Sequence, residues 1–169
     1  MPPSAGGHAL ALVGSGILLS NLSLGPVCDR FGARRLIILS FFVVSVLFFI
    51  WPHCSVESID ALAFLYGYLV SLISSLPIII LADAYGEIGS EYILVLNGIT
   101  NIIKLPGYLL GPYIAGLVIE WAGGSYNYAA NCSGLTTLIG TLMLLCIPSP
   151  EKQLQQLSEI RKSEKFQDS

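Results

Sequence analysis

The chain has 169 residues, a formal net charge of −3 and a mean hydropathy of +0.73; 54% of its residues are hydrophobic and only 11% are charged. A soluble domain carries about a quarter of its residues as Asp, Glu, Lys or Arg, and a small domain cannot hide so much apolar surface, which excludes a water-soluble globule. The few basic residues also exclude a nucleic-acid-binding protein.

Five apolar stretches come close to the roughly 20 residues that a helix needs to cross a bilayer. They cover residues 9–27, 36–51, 61–82, 92–119 and 126–147. Because a lone strand in lipid leaves its backbone groups unpaired, each stretch is predicted to be helical. The predicted fold class is all-α, a polytopic transmembrane bundle over residues 1–147. The polar tail, residues 148–169, is expected to be a mobile cytoplasmic end or a short interfacial helix.

The joint between the first two spans reads Gly-Pro-Val-Cys-Asp-Arg-Phe-Gly-Ala-Arg-Arg from residue 25 to residue 35. Gly25 would let two helices approach closely. Asp29 would cap or face the positive N-terminal end of a helix, and Gly32 would permit a tight turn.

The basic residues predict the orientation of the spans. Seven of the eight lie in the first joint or in the tail: Arg30, Arg34, Arg35, Lys152, Arg161, Lys162 and Lys165. An even number of spans separates these two regions, so both lie on the same side of the membrane. The positive-inside rule identifies that side as the cytoplasm. We therefore predict a multi-pass protein of the plasma membrane with a cytoplasmic C-terminus. Its external N-terminus and odd number of helices indicate a fragment or a truncated gene model.

Asp83 ends the third span at the predicted cytoplasmic face, where a negative charge opposes the helix dipole. Arg30 or Arg34 would relieve this as a cationic partner and form an inner-face latch that breaks when a carrier rearranges. Solvation of Asp83 is the open alternative.

The fourth span carries polar residues in steps of four, three and four, which stack on one helix face: Asn97, Asn101, Lys104 and Tyr108. Lys104 lies about 12 residues, or roughly 18 Å, into the span, too deep for easy snorkelling. An ionisable residue there costs about 3 kcal/mol and marks a pathway or a partner. The face is predicted to line a cavity for an anionic carboxylate; a structural pair with an acid outside this chain stays open.

Two further features of the sequence complete the picture. Gly107 and Gly111, with Pro106 and Pro112, mark a bendable or closely packed helix.

The four cysteines have no metal-ligand spacing, and the sequence shows no metal cluster and no nucleophile beside a base. We predict no cofactor, no metal and no enzymatic activity.

The joint at residues 25–35 resembles the signature loop of the major facilitator superfamily, Gly-x-x-x-Asp-Arg-x-Gly followed by basic residues. Two later stretches, Ala82-Asp83-Ala84-Tyr85-Gly86 and Leu110-Gly111-Pro112-Tyr113-Ile114-Ala115-Gly116, resemble the last helices of its monocarboxylate transporter family. The resemblance implies a partial major facilitator fold, helices eight to twelve. This chain departs from the family pattern at Tyr113. It also departs at Ile17 and Asn21, the two positions at which many proton-coupled members carry an Asp and an Arg.

The resemblance implies secondary transport of small monocarboxylate-type anions by alternating access. Its implied partners are lipid, the solute, protons, and an N-terminal six- or seven-helix part or an accessory membrane protein. The absence of this ionisable pair puts proton coupling through the first span in question. The protein could transport by a facilitative route, couple protons through other residues, or not transport at all. The alternative function is a truncated, non-transporting membrane protein that associates with or modulates a full-length carrier.

Overall fold

A computed structural model describes residues 3–85 and 90–147, and within them it contains helices and no strand. The α-helices are α1 (Pro3–Phe31), α2 (Ala33–Ile50), α3 (Val56–Tyr85), α4 (Ser90–Trp121) and α5 (Tyr126–Cys146), and a short 3-10 helix (Trp51–His53) follows α2. All five α-helices are long and apolar enough to cross a membrane. The all-α transmembrane fold class is confirmed, whereas Gly86 and the tail from residue 148 lie outside the described residues.

Glycine makes the sharpest break between helices. Gly32 has φ of 77° and ψ of 135°, a positive-φ conformation that glycine adopts freely and that strains a residue with a Cβ by about 1–2 kcal/mol. Its N–H donates to the Cys28 carbonyl at 2.8 Å, while its own carbonyl accepts from Leu36 N–H at 3.1 Å. One residue therefore closes α1 and opens α2.

The core lies between α1, α2, α3 and α5. Helix α3 packs against both α1 and α2, and α2 also packs against α5. The buried apolar cluster comes from α2 and α3: Ala33, Leu36, Ile37, Val44, Leu47, Leu69, Leu72 and Leu76. Helix α4 contacts α3 and α5 more sparsely, and none of its residues from 92 to 121 is buried. The chain thus forms a packed group of four helices with α4 attached at its side.

Helices α1 and α3 meet backbone to backbone at two glycines. A Cβ built on Gly16 would lie 2.3 Å from the Phe64 carbonyl oxygen, and one built on Gly67 would lie 2.2 Å from the Val13 carbonyl oxygen. Neither position has space for a side chain. Small residues allow this approach, which is how membrane helices gain packing contacts in a solvent as apolar as they are.

Polar side chains join the packed helices across their interfaces. Between α1 and α3, Ser23 Oγ lies 2.9 Å from Tyr68 Oη. In the same interface Ser71 Oγ donates to Asn21 Oδ1 at 3.2 Å. Between α2 and α5, Ser45 Oγ donates to a backbone carbonyl of α5, that of Gly134, at 2.8 Å. These bonds fix the rotation of each helix against its neighbour.

Candidate functional site

The predicted polar face lies along the middle of α4. Asn97 and Lys104 are half-buried, and Asn101 and Tyr108 are exposed. No hydrogen bond or ion pair joins these four side chains to another described residue. The helix therefore brings the four residues to one face, and the described part of the chain builds no opposing wall.

Lys104 has an unusual position among the charges. The other charged residues with described side chains lie near helix ends, at the membrane surfaces: Asp29, Arg30, Arg34, Arg35, Asp60, Asp83 and Glu120. Lys104 lies near the centre of the 32-residue helix α4. Lys104 therefore lies in the middle of a membrane-spanning helix, and no described carboxylate forms an ion pair with it.

The signature loop differs in detail from the sequence-based expectation. Asp29 lies in the last turn of α1 and is exposed, and α2, whose N-cap residue is Gly32, has no side-chain cap. The expected cap by Asp29 is therefore not formed on α2. Gly25 makes no close helix approach either, since a Cβ built there would meet no described atom within 4 Å. The same is true of three glycines in α4: Gly107, Gly111 and Gly116.

Arg34 donates a hydrogen bond to the carbonyl oxygen of Ile147, the residue that follows α5. Ile147 is the C-cap residue of α5 and has an extended backbone, so the guanidinium binds a carbonyl that α5 itself leaves without a partner. The contact places the first joint and the end of α5 at the same face of the bundle. Sequence reasoning missed this bond because 113 residues separate its partners.

The expected latch at Asp83 is absent from this conformation. Asp83 is exposed, and no described ion pair joins it to Arg30 or Arg34. Arg34 instead contacts the end of α5, and the exposure of Asp83 agrees with solvation, the alternative that the sequence left open. A contact between a basic and an acidic side chain lies elsewhere, where His8 Nδ1 is 3.4 Å from Asp60 Oδ2 near the starts of α1 and α3; it is an ion pair when His8 carries a proton.

Sequence reasoning also missed the glycine crossing of α1 and α3, although its signal was present. Ala63, Gly67 and Ser71 follow one another at four-residue steps on α3, and all are buried. Gly16 and Ser20 repeat the step on α1. This is the small-xxx-small pattern of closely packed membrane helices.

Five helices long and apolar enough to span a membrane, joined after the first by a basic loop that breaks at glycine, define a multi-pass helical membrane protein. Residues 1–167 match the model of the Major Facilitator Superfamily, and the chain belongs to that family. Among curated proteins it is similar to the Enterobactin exporter EntS of Shigella flexneri, 26% identical over 157 residues, which are 88% of this chain and 37% of that protein. A protein of the same name from Escherichia coli O1:K1 / APEC is 26% identical over 152 residues, 85% of this chain and 36% of that protein.

The chain therefore spans little more than a third of the length of these curated relatives. No solved structure matches it. The relatives are named as exporters of enterobactin, so the comparisons establish the superfamily but not the monocarboxylate-transporter-like assignment.

Proposed function

We propose that this chain forms part of a secondary transporter of small organic anions that works by alternating access, with the polar face of α4 in its solute site. The observation that carries the proposal is the position of Lys104. Its ammonium is the isolated charge at mid-membrane in the described chain, and the described helices provide no counter-charge. Placing a lysine ammonium at the centre of a membrane costs about 3 kcal/mol of insertion free energy, and such a residue usually has a functional role. We infer that its partner is an anion.

The residues beside Lys104 suit a carboxylate. Asn97 and Asn101 carry amide donors, and Tyr108 carries a hydroxyl donor, all on the same face of α4. A carboxylate accepts several such bonds, and a charge-assisted bond to Lys104 would be stronger than those to neutral donors. The monocarboxylate-type solute rests on this donor set and on the resemblance of the sequence around Asp83 and Pro112.

The described helices leave the opposing wall of the proposed site open. Helix α4 has no buried residue between 92 and 121, and the chain covers 37% of the length of its relative from Shigella flexneri. We infer an N-terminal helical part, or another membrane protein, that faces α4 across the solute pathway. Movement of α4 and its partner about a midplane site would then alternate access between the two sides.

Helix α1 offers no ionisable group for proton coupling at the positions where proton-coupled relatives carry a pair. Ile17 is apolar, and Asn21 accepts a hydrogen bond from Ser71. Asn21 thus has a packing role between α1 and α3. We favour a facilitative route, or coupling through residues elsewhere, for the complete transporter.

Transport of labelled lactate into vesicles tests the proposal, with the complete carrier that contains this chain. Lys104→Ala should lower uptake at least tenfold, and Lys104→Arg should keep part of it. Tyr113→Phe is the matched control, because nine helical steps place Tyr113 on the opposite face of α4 from Lys104. Unchanged uptake in Lys104→Ala would rule out Lys104 as a ligand.

The same vesicles separate two other outcomes. Movement of enterobactin rather than lactate would assign the chain to the solute for which its relatives are named. No transport of either solute, together with retained association with a complete carrier, would support the alternative of a modulating membrane protein.

A further inference from the structure

A groove between α2 and α5 is lined almost wholly by apolar atoms, and Arg35 lies at one end of it. Its volume is about 490 Å³, and it is lined by Arg35, Ile38, Leu39, Phe42, Thr141 and Leu145. The four α2 residues follow at steps of three, one and three, so they form one continuous stripe along the helix. Thr141 adds no free donor, since its hydroxyl donates to the Thr137 carbonyl at 2.8 Å.

The two adjacent arginines of the loop have different environments. Arg34 is half-buried and donates to the Ile147 carbonyl, as described above. Arg35 is exposed, lies in the first turn of α2, and pairs with no described carboxylate. The first turn also has no acidic residue and no side-chain cap, so the positive end of the helix dipole adds to the charge of Arg35.

We propose that this groove binds one anionic phospholipid, with its phosphate at Arg35 and an acyl chain along Ile38, Leu39 and Phe42. The distance from Arg35 to Phe42 along the helix is roughly 10 Å at 1.5 Å per residue, which matches the upper half of an acyl chain. Arg35 lies at the N-terminal end of α2, the level at which the phosphate groups of a bilayer are expected. The site is separate from the polar face of α4 and does not depend on the transported solute.

The shape and chemistry of the groove select a lipid over a free phosphate. An inorganic anion would contact Arg35 alone and leave the apolar stripe to the bulk acyl chains of the bilayer, whereas one phospholipid contacts both parts. The charge favours an anionic headgroup, because a zwitterionic lipid brings a cation of its own to Arg35. The predicted orientation places Arg35 in the cytoplasmic leaflet, whose surface is rich in anionic lipid.

Quenching of a tryptophan beside the groove by brominated lipid measures the proposed binding. The whole chain carries Leu142→Trp as reporter, next to Thr141 but outside the groove lining, with Trp51→Phe and Trp121→Phe to remove the other tryptophans. The protein is reconstituted in phosphatidylcholine vesicles containing increasing fractions of dibrominated phosphatidylglycerol, or of dibrominated phosphatidylcholine. We expect phosphatidylglycerol to bind about fivefold more tightly than phosphatidylcholine, the effect of one basic residue near the surface.

Substitutions assign the preference to its residue. Arg35→Gln should bring the ratio of the two affinities close to one, and Arg35→Lys should keep most of it. Arg30→Gln is the matched control, since Arg30 belongs to the same loop but does not line the groove, and it should keep the ratio. Excess glycerol 3-phosphate should not reduce quenching, because it has no acyl chain.

Two results would overturn the proposal. Equal quenching by both lipids in the parent protein would show an ordinary lipid shell. Equal losses in Arg30→Gln and Arg35→Gln would show a diffuse field of the loop and no defined site. If Arg35→Gln fails to fold, the salt dependence of lipid binding by the parent protein is the test. A preference for phosphatidylglycerol that added salt does not weaken would contradict a phosphate contact at an exposed arginine.

Discussion

Substitution of Gly16 by alanine tests the backbone contact between α1 and α3. The added Cβ would lie 2.3 Å from the Phe64 carbonyl oxygen, about 1 Å short of the 3.4 Å at which ordinary contact begins. The obstacle is backbone in a helix, which no side-chain rotation can move. The two helices must therefore separate by about 1 Å along this line.

The expected change in stability combines three terms. Overpacking of a close contact costs about 1–3 kcal/mol. Separation by about 1 Å would also break the Ser23–Tyr68 and Ser71–Asn21 hydrogen bonds, now 2.9 and 3.2 Å long, and each such bond between membrane helices contributes about 0.6 kcal/mol. The higher helix propensity of alanine offsets about 1 kcal/mol of this loss of folding free energy. We expect a net loss of about 1 to 3 kcal/mol.

Gly14→Ala is the matched control for Gly16→Ala. It lies two residues away on the same helix, and a Cβ built there would meet no described atom within 4 Å. It should leave stability unchanged or raise it by up to about 1 kcal/mol. Reversible unfolding in mixed micelles of mild detergent and dodecyl sulfate, followed by circular dichroism, measures both variants. Equal stability of the two variants would refute the close contact.

Two further predictions concern the first joint. Gly32→Ala should destabilise the protein by about 1–2 kcal/mol in the same unfolding assay, because φ of 77° strains a residue with a Cβ; Gly25→Ala, with open space around it, should not, and an equal loss in both would contradict the assigned turn. In a cysteine-free background, Arg30→Cys and Ile147→Cys should react with a membrane-impermeant thiol reagent from one side, and His53→Cys from the other. Labelling of Arg30→Cys and Ile147→Cys from opposite sides would disprove the shared face.

The positions of the helices could be predicted from hydropathy because lipid imposes a simple rule. A spanning segment must be long, apolar and internally hydrogen-bonded, and each of these properties can be read locally. The positive-φ turn at Gly32 is likewise a local matter. The stacking of Asn97 and Lys104 on one face follows from helical periodicity alone, so α4 needed no tertiary information.

Contacts between distant segments could not be predicted in the same way. The bond from Arg34 to Ile147 depends on how α2 and α5 pack, and nothing near Arg34 in the sequence specifies its partner. Within the described residues, the close approach of helices occurs at positions that the sequence analysis did not single out. Gly25 stood in a recognisable motif, yet Gly16 and Gly67 make the contact, because packing depends on which face meets a neighbour.

The outlying position of α4 has a consequence for the proposed solute site. Helix α4 adds no buried residue to the described bundle, so replacements along it cost the remaining four helices little stability. Mutations around Asn101 and Lys104 can therefore be explored without first acquiring stabilising changes elsewhere. In the proposed transporter, the residues that would set solute preference therefore lie on α4, and those that hold the described bundle together lie on α1, α2, α3 and α5.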